Sequence, residues 1–210
     1  MHVLERGAGW VAVEKPPGML SVPGKAEADC VVARVRGMGL SDFAREVHRL
    51  DMETSGVMVV ALDAETHRAL SMQFERGTVM KTYAAMVDGE VELAMGMIDV
   101  PIRADIEDRP RQIVDCELGK PSLTRWERVS VESMAGRVVT RLRLEPETGR
   151  THQLRVHCAC PRDVGGLGHA IVGDSLYGSA GARLMLHAHR IAFDDPATFR
   201  RVVIESPVPF

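Results

Sequence analysis

The first third of the chain contains two short runs whose polar and apolar residues follow patterns that are typical of β-strands. Residues 10–14 (WVAVE) alternate in this way and lead into residues 15–18 (KPPG), where two prolines and a glycine predict a turn. Residues 54–62 form a dense run of β-branched and apolar side chains, which is the composition of a buried strand. The pattern thus predicts two strands in this part of the chain.

A helix is predicted directly after the second of these strands. Asp63 stands where its side chain can cap the first turn, and Leu70 and Phe74 lie at helical spacing on one face. Gly77 follows at a position where helices commonly stop, so we expect the helix to end at about Arg76.

The second half of the chain again shows strand-like alternation. We expect strands at residues 78–87, 136–145, 184–193 and 201–205, and a short helix at 151–159 capped by Thr151. In the strand at 136–145, Val138, Thr140, Leu142 and Leu144 are expected to face the core, and Arg137, Val139, Arg141 and Arg143 a mostly basic solvent face.

Many strands and few helices in no regular alternation indicate the α+β class, with a mixed, mainly antiparallel central sheet. The sequence contains no evident linker, fixed-period repeat or low-complexity run. We therefore expect a single domain over residues 1–210, with only about ten residues before the first strand.

Composition supports a globular protein with its own core. The chain has 210 residues, of which 45% are hydrophobic and 26% charged. Its apolar runs are too short to cross a bilayer and its first twenty residues lack an apolar signal core, so a cytoplasmic location without membrane contact is expected. Four cysteines at irregular spacing indicate reduced thiols and neither a disulfide framework nor a zinc site.

The overall charge argues mildly against a nucleic-acid partner, because phosphate contacts need a basic surface. The formal net charge is -3 and the isoelectric point is near 6.2. However, 22 of the 26 basic residues are arginine, the side chain that binds phosphate through two nitrogens and stacks on bases. A genome rich in G and C would produce the same bias, so composition permits an RNA partner without establishing one.

Three polar blocks are candidates for chemistry. The first, residues 48–56 (HRLDMETSG), places the Asp51 carboxylate directly before a predicted buried strand, which would support it rigidly. An ordinary turn in which Asp51 bonds to Thr54 or Ser55 is the alternative.

The other two blocks are also ambiguous by themselves. In residues 81–85 (KTYAA), strand alternation points Lys81 and Tyr83 to one face, where the phenol can stack on a base or simply be a half-buried strand residue. Residues 147–157 (ETGRTHQLRVH) contain two arginines and two histidines. This cluster is either a binding site or the polar face of a solvated amphipathic helix that turns Leu154 and Cys158 inward.

Taken in order along the chain, these three blocks resemble the motifs of a known enzyme family. HRLDMETSGVMVVA, KTYAA, ETGRTHQLRVH, IVGDSLYG and LMLHAHRIAF closely resemble the successive motifs of the RluA family of pseudouridine synthases, as do the opening EKPPGMLSVPG and the stretch from IDVPIRAD to LTRWERV. The similarity covers nearly the whole chain, from about Val11 to Pro207. HRLDxxTSG followed by GRTHQxRxH is the most specific part of it.

The resemblance implies a mixed, mainly antiparallel sheet with an active-site cleft, and an enzyme that isomerises uridine to pseudouridine without a cofactor or a metal. Larger relatives carry an N-terminal S4-type RNA-binding domain, for which the expected ten residues leave no room. The implied partner is structured RNA, a stem-loop of 23S rRNA, a tRNA anticodon stem-loop, or both, bound by a monomer. Which uridine is modified stays open.

The resemblance also implies roles for individual residues. Asp51 matches the essential carboxylate, which acts on the sugar as a nucleophile or as a base. Arg155 matches the arginine that pairs with that carboxylate, and Tyr83 the tyrosine that packs on the target base. Arg49 matches an arginine that enters the RNA stack when the base is flipped out.

Two further residues are weaker candidates, and one segment departs from the family pattern. Arg150 and Lys81 either contact the RNA backbone or form structural ion pairs at the surface. Residues 160–168 (CPRDVGGLG) are longer than the usual family turn, and Ala170 stands where proline is common. This loop either alters RNA specificity or only lengthens a surface turn.

Two other classes of function compete with this interpretation. A metal-dependent hydrolase would draw its ligands from His152, His157, His169, His187, His189, Cys158 and Cys160, although their spacing matches no compact zinc pattern. A non-catalytic RNA-binding module would have no need of Asp51, Tyr83 and Arg155 together.

Overall fold

The structure is a computed structural model that describes residues 1–24 and 28–210. The strands are β1 (His2–Arg6), β2 (Trp10–Lys15), β3 (Arg45–Glu46), β4 (Ser55–Ala61), β5 (Met80–Asp88), β6 (Met95–Asp99), β7 (Ile102–Ala104), β8 (Gln112–Val114), β9 (Leu123–Met134), β10 (Arg137–Pro146), β11 (Leu186–Asp194) and β12 (Arg201–Glu205). The helices are α1 (Val31–Gly37), α2 (Ala64–Glu75) and α3 (Gln153–Ala159), with a 3-10 turn at Arg162–Val164.

The chain forms two compact units. The first contains residues 1–81 and 187–209, and the second contains residues 82–186 with Phe210. Strand β5 carries the chain from the first unit to the second. The expectation of a single catalytic domain over residues 1–210 stays a prediction.

The first unit is built on a mixed sheet. Strand β2 pairs antiparallel with β1 and with β4, β3 pairs antiparallel with β4, and β12 with β11. Strands β4 and β11 run parallel, with Ser55 opposite His187 and Gly56 opposite Ala188. The core of this unit is an apolar cluster that includes Trp10, Val57, Val59, Leu70, Phe193 and Ile204.

Gly56 permits an unusually close approach of β4 and β11. Its φ is +117°, and a Cβ built on it would lie 2.3 Å from the carbonyl oxygen of Ala188. A side chain cannot be placed there unless the backbone moves. The glycine therefore fixes the separation of the two strands immediately after the motif that contains Asp51.

The second unit contains an antiparallel sheet and a buried helix. Strand β10 lies between β5 and β9, β6 pairs with the other side of β9, and β7 and β8 form a small separate ladder. Every residue of α3 from Gln153 to Cys158 is buried. The helix is therefore part of the core, and the alternative of a solvated amphipathic helix is wrong.

Several predicted elements are confirmed. Helix α2 is capped by Asp63, whose carboxylate accepts a hydrogen bond from the backbone N–H of Thr66 at 2.8 Å. Gly77 follows the helix with a φ of +72°, and β12 occupies the predicted residues, Arg201–Glu205. These elements have strong local signals, namely a cap, a stop and a bounded alternating run.

Three details of the sequence interpretation are wrong. In β10, Val138 was expected to face the core but is 51% exposed, because it lies beside the hairpin turn. Val139 was expected to face solvent but is wholly buried and packs with Met86 and Val172. Helix α3 begins after His152, which has a left-handed φ of 53° and no side-chain cap, so Thr151 is not the cap. Strand β1 precedes the strand expected to be first.

The segment from Cys160 to Gly168 is compact. The N–H of Gly168 donates to the carbonyl of Cys160 at 2.8 Å, and the N–H of Leu167 donates to the carbonyl of His157 at 2.9 Å. Leu167 is buried in the core of the second unit. Part of the added length is thus packed inside the protein, and its effect on RNA specificity stays open.

Candidate active site

Asp51 is half-buried in a tight turn that leads into β4. The N–H of Thr54 donates to the carbonyl of Asp51 at 3.1 Å, which closes the turn through the backbone. All seven residues of β4 are buried, so the turn is attached to one of the most completely buried strands of the first unit. The predicted rigid support for the carboxylate is present.

The backbone on both sides of Asp51 is held by residues 15–21. The hydroxyl of Ser21 donates to the carbonyl of Leu50 at 2.7 Å and accepts from the N–H of Leu50 at 3.0 Å. The carbonyl of Met52 accepts from Lys15 Nζ at 2.7 Å and from the N–H of Gly18 at 2.9 Å. The sequence predicted a turn and a family resemblance in this segment but gave no indication of these contacts.

The side chain of Arg49 is exposed, whereas Lys81 is half-buried, and burial lowers its pKa. Next to Lys81 is His48, whose pKa is lowered to about 3 by burial and by the charge of Lys81. His48 is therefore neutral near pH 7, and its Nε2 accepts a hydrogen bond from the N–H of Val59 at 3.0 Å while its ring stacks on Phe74. His48 thus has a structural role.

In the second unit, Arg155 forms an ion pair with Asp174 that is removed from water. Arg155 Nε lies 2.7 Å from Asp174 Oδ2 and Nη2 lies 2.6 Å from Oδ1, with side-chain exposures of 3% and 0%. Burial raises the pKa of the Asp174 carboxyl, but its hydrogen bonds, led by that from Arg155, outweigh this and hold the pKa below its usual range. The predicted pairing of Arg155 with Asp51 stays a prediction.

Tyr177 lies beside this ion pair and links it to two neighbouring segments. The guanidinium carbon of Arg155 lies 5.2 Å from the centre of the Tyr177 ring, a cation–π distance. The Tyr177 hydroxyl accepts from the N–H of Gln112 at 2.7 Å and is 2.8 Å from His152 Nδ1. Tyr177 and Gln112 border an open cleft of about 490 Å³, which is also lined by Arg111, Val156 and Leu176.

The remaining candidates of the second unit are Tyr83 and Arg150. Tyr83 lies on β5 opposite Leu144, half-buried against the apolar core, so the predicted strand position is confirmed. Arg150 is exposed, and its Nε donates to the carbonyl of Pro121 at 3.1 Å. Its proposed contact with RNA stays a prediction.

Gln153 organises the loop that contains Arg150. Its Oε1 accepts from the Thr148 hydroxyl at 2.7 Å and from the N–H of Arg150 at 3.0 Å. Its Nε2 donates to the carbonyl of Leu123 and to the hydroxyl of Thr124, each at 3.0 Å. The GRTHQ motif is therefore held by one buried amide, a role that the sequence did not indicate.

The buried histidines among the metal candidates bind hydroxyl groups. His157 contacts Ser122 and Thr124, and His187 contacts Ser55 and Ser206. Within residues 1–24 and 28–210, no group of three or more histidine, cysteine, aspartate or glutamate side chains is placed to hold a metal ion. In the same residues, no helix combines the length and apolar character needed to span a membrane.

Comparison with known proteins decides the family. A family model described as RNA pseudouridylate synthase matches residues 9–160, which include all six candidate residues. The chain belongs to the RNA pseudouridylate synthase family. It is an RNA pseudouridine synthase, an isomerase, and the enzyme class predicted from the motifs is confirmed.

Curated relatives place the synthase in the RluA branch. The chain is 41% identical over 209 residues to the dual-specificity RNA pseudouridine synthase RluA of Escherichia coli (strain K12), with 95% of this chain and 90% of the relative covered. It is 40% identical over 205 residues to the RluA of Yersinia pestis, with 93% of each chain covered. The RluA of Pasteurella multocida (strain Pm70) is 38% identical over 208 residues, with 96% and 90% covered.

Solved structures confirm the fold. Human RNA Pseudouridylate Synthase Domain Containing 1 superposes with a TM-score of 0.83 at 30% identity, covering 99% of this chain and 83% of that one. Human RNA Pseudouridylate Synthase Domain Containing 4 gives a TM-score of 0.74 at 20% identity, covering 99% and 88%, and supports the fold alone. The predicted α+β class with a mixed, mainly antiparallel sheet is confirmed.

Proposed function

We propose that this synthase converts uridine to pseudouridine in 23S rRNA, in tRNA anticodon stem-loops, or in both, with Asp51 as its catalytic carboxylate. The substrate proposal is supported by the dual specificity in the names of relatives that align with 93% or more of this chain. The observation that carries the assignment of Asp51 is the position of its carboxylate, in a turn fixed from both sides in front of a buried strand.

The reaction exchanges one bond to the sugar for another. The bond from the uracil nitrogen to the sugar breaks, a bond from uracil carbon 5 to the sugar forms, the proton on carbon 5 is lost, and the nitrogen gains a proton. The balance needs no oxidant or energy source, so we propose that the enzyme works without a cofactor or a metal. Asp51 acts on the sugar as a nucleophile or as a base, and both routes require its ionised form.

Three further residues complete the proposed site. Arg155 keeps the Asp51 carboxylate ionised and oriented, and its bidentate pair with Asp174 supports this by fixing the plane of the guanidinium. Tyr83 packs on the target base, which fits a half-buried ring on a strand. Arg49 fills the gap that the flipped base leaves in the RNA, a role open to an exposed guanidinium.

Contacts with the RNA backbone are assigned to Arg150 and Lys81. Arg150 is exposed, which suits a phosphate contact, whereas half-buried Lys81 is the weaker of the two. We further propose a monomer in the cytoplasm, where ribosomal and transfer RNA are found in bacteria. The proposal of one catalytic domain is supported by the family match, which covers residues 9–160 and thus parts of both units.

Pseudouridine mapping tests the proposal. Total RNA is incubated with the wild type, with Asp51→Ala or with Asp42→Asn, which changes an exposed aspartate outside the motifs. The RNA is then treated with carbodiimide and read by primer extension. We expect new stops in 23S rRNA or tRNA with the wild type and with Asp42→Asn, and none with Asp51→Ala. Stops that persist with Asp51→Ala would refute the catalytic assignment, and stops confined to other RNAs would refute the substrate assignment.

A further inference from the structure

We propose that Phe199, in the turn between β11 and β12, stacks on an unpaired base of the RNA substrate while Arg200 contacts the adjacent phosphate. The chain is an RNA pseudouridine synthase, so RNA is a macromolecule that it must bind. The contact lies outside the motifs that contain Asp51 and Arg155, and it holds whichever residue is catalytic.

Phe199 combines two features that are unfavourable unless the ring has a use. Its side chain is 86% exposed, the largest value among the exposed large hydrophobic residues that the structure describes. Its φ is +56°, in the left-handed region that bulky side chains seldom adopt. A glycine would avoid both, so the turn alone does not explain the phenylalanine. A backbone outlier that its surroundings hold in place points to a function for the residue.

The turn that contains Phe199 is built on the buried carboxylate of Asp195. This carboxylate accepts hydrogen bonds from the N–H groups of Ala197 at 2.8 Å and Thr198 at 2.9 Å, and from Trp10 Nε1 at 2.8 Å. The N–H of Phe199 donates to the carbonyl of Asp195 at 2.8 Å. Because Trp10 is part of the core of the first unit, the turn is anchored there. The ring is therefore presented on a rigid support, which lowers the entropy lost on binding.

The exposed charge of this turn is positive. Asp195 is buried, and the exposed carboxylate of Asp194 pairs with Arg201 Nη1 at 3.3 Å. Arg200, next to Phe199, is exposed, and these two aspartates do not balance its charge. An aromatic ring beside a guanidinium suits a nucleotide, because the ring stacks on the base and the guanidinium binds the phosphate.

The turn lies in the same unit as Asp51 but far from it. Strands β4 and β11 run parallel with Ser55 opposite His187, and Asp195 is eight residues beyond His187. At about 3.3 Å per residue, the turn is about 25 Å from the start of β4 along the strand direction. A contact at this distance strengthens the binding of RNA but does not touch the reacting uridine. We therefore expect Phe199 to affect KM and not kcat.

Phe199→Gly tests the ring, because glycine accepts the left-handed φ. We expect the midpoint of thermal unfolding to equal or exceed that of the wild type, while the Kd for RNA rises by about fivefold or more. The probes are purified tRNA and 23S rRNA, and filter binding with the full chain gives the Kd. Release of tritium from RNA labelled at carbon 5 of uridine should show a matching rise in KM, with kcat changed by less than about twofold.

Ala135→Gly is the matched control. Ala135 is also exposed and also has a left-handed φ, +49°, in the turn between β9 and β10. This substitution relieves the same kind of backbone strain but removes no aromatic ring, so the Kd for RNA should not change. Phe199→Tyr keeps both the ring and the strain, and it should bind RNA as tightly as the wild type.

The dependence of the Kd on salt separates the ring from the arginine. Arg200→Gln removes one phosphate contact, so the slope of log Kd against log salt concentration should fall by roughly one. Phe199→Gly should leave the slope unchanged, because stacking on a base releases no counterion. A merely structural role of the turn would not produce this contrast.

Two results would overturn the inference. One is a wild-type Kd for both tRNA and 23S rRNA in Phe199→Gly, which is the outcome expected if the ring docks on a protein. The other is an equal rise in the Kd in Ala135→Gly, which would show that the ring is not responsible. Neither result affects the assignment of Asp51, whereas a wild type that bound neither RNA would refute the proposed substrates as well.

Discussion

Arg155 and Asp174 form a two-bond ion pair in which both side chains are almost completely removed from solvent. The two residues are 19 positions apart, in the GRTHQLRVH and IVGDSLYG motifs. Asp174 also accepts from the N–H groups of Leu176 and Tyr177, so its carboxylate joins the helix to the following turn. The pair therefore ties together two motifs that the sequence presents separately.

Removing the Asp174 carboxylate should destabilise the enzyme strongly. Asp174→Ala removes the carboxylate that makes two buried hydrogen bonds with the Arg155 cation, and we expect the free energy of unfolding to fall by about 3–5 kcal/mol. Urea unfolding at pH 7 measures the change. As a control, Glu147→Gln affects an exposed pair with Arg125 and should cost less than about 1 kcal/mol. Equal losses in the two variants would contradict the assignment.

Gly56 should not tolerate even a methyl group. Gly56→Ala combines a left-handed φ with a clash against the Ala188 backbone, and we expect a loss of about 3 kcal/mol or more in unfolding free energy. Gly37→Ala provides the comparison, because nothing lies within 4 Å of its added Cβ and it ends a helix. It should be neutral or stabilising by up to about 1 kcal/mol. Thermal unfolding of both variants checks the contrast.

Acid should destabilise the enzyme partly through His157. Burial lowers the pKa of His157 to about 4, against an ordinary value of 6.5, although Asp99 opposes the shift. The unfolded chain then binds a proton between pH 6.5 and pH 4 that the folded protein does not, so stability falls as the pH drops through that window. Between pH 6.5 and pH 4.5, the part of this window that the measurement spans, the stability lost is about 2–3 kcal/mol.

The non-titrating variant His157→Gln isolates that contribution. Its unfolding free energy should fall less between pH 7 and pH 4.5 than that of the wild type. Urea unfolding at the two pH values gives the comparison, and parallel losses would show that His157 does not carry the effect.

Loss of the Arg49 guanidinium should disfavour the flipped state of the target uridine. Arg49→Ala leaves nothing to occupy the gap in the RNA stack, so turnover should fall mainly because less of the bound RNA is flipped. The fluorescence of 2-aminopurine placed beside the target reports flipping directly. Arg68→Ala, an exposed arginine on α2, is the control. Normal flipping in Arg49→Ala would remove this role.

The sequence predicted those elements whose signals are local. Helix α2 was predicted from the cap at Asp63 and the stop at Gly77, and β12 from an alternating run with clear bounds. Strand β9 was missed because the valines of its distal half, Val129 and Val131, are exposed, whereas polar residues such as Ser130 and Glu132 are the half-buried ones. Helix α1 was missed because it is short and its cap is the unusual side chain of Cys30.

The sequence predicted the residues of the site that lie within a single motif, but not the contacts between residues that are far apart in the chain. Asp51 and Arg155 lie inside motifs whose residues resemble those of the RluA family. Asp174, which pairs with Arg155, is 19 residues away from it, and Lys15 is 37 residues from Met52, distances at which spacing gives no indication of contact. Val139 was assigned to the wrong face because Val172 covers it from a distant part of the chain.

The amide of Gln153 has consequences for how this enzyme distinguishes one RNA from another. A glutamine amide offers two acceptor sites and two N–H groups, and all of them are engaged within the protein. The amide therefore has no remaining donor or acceptor with which to bind a nucleobase, although its position among arginines and histidines would suggest that role. Discrimination between RNAs by this loop must come from groups that face outward, and a screen for altered specificity should vary those and leave Gln153 unchanged.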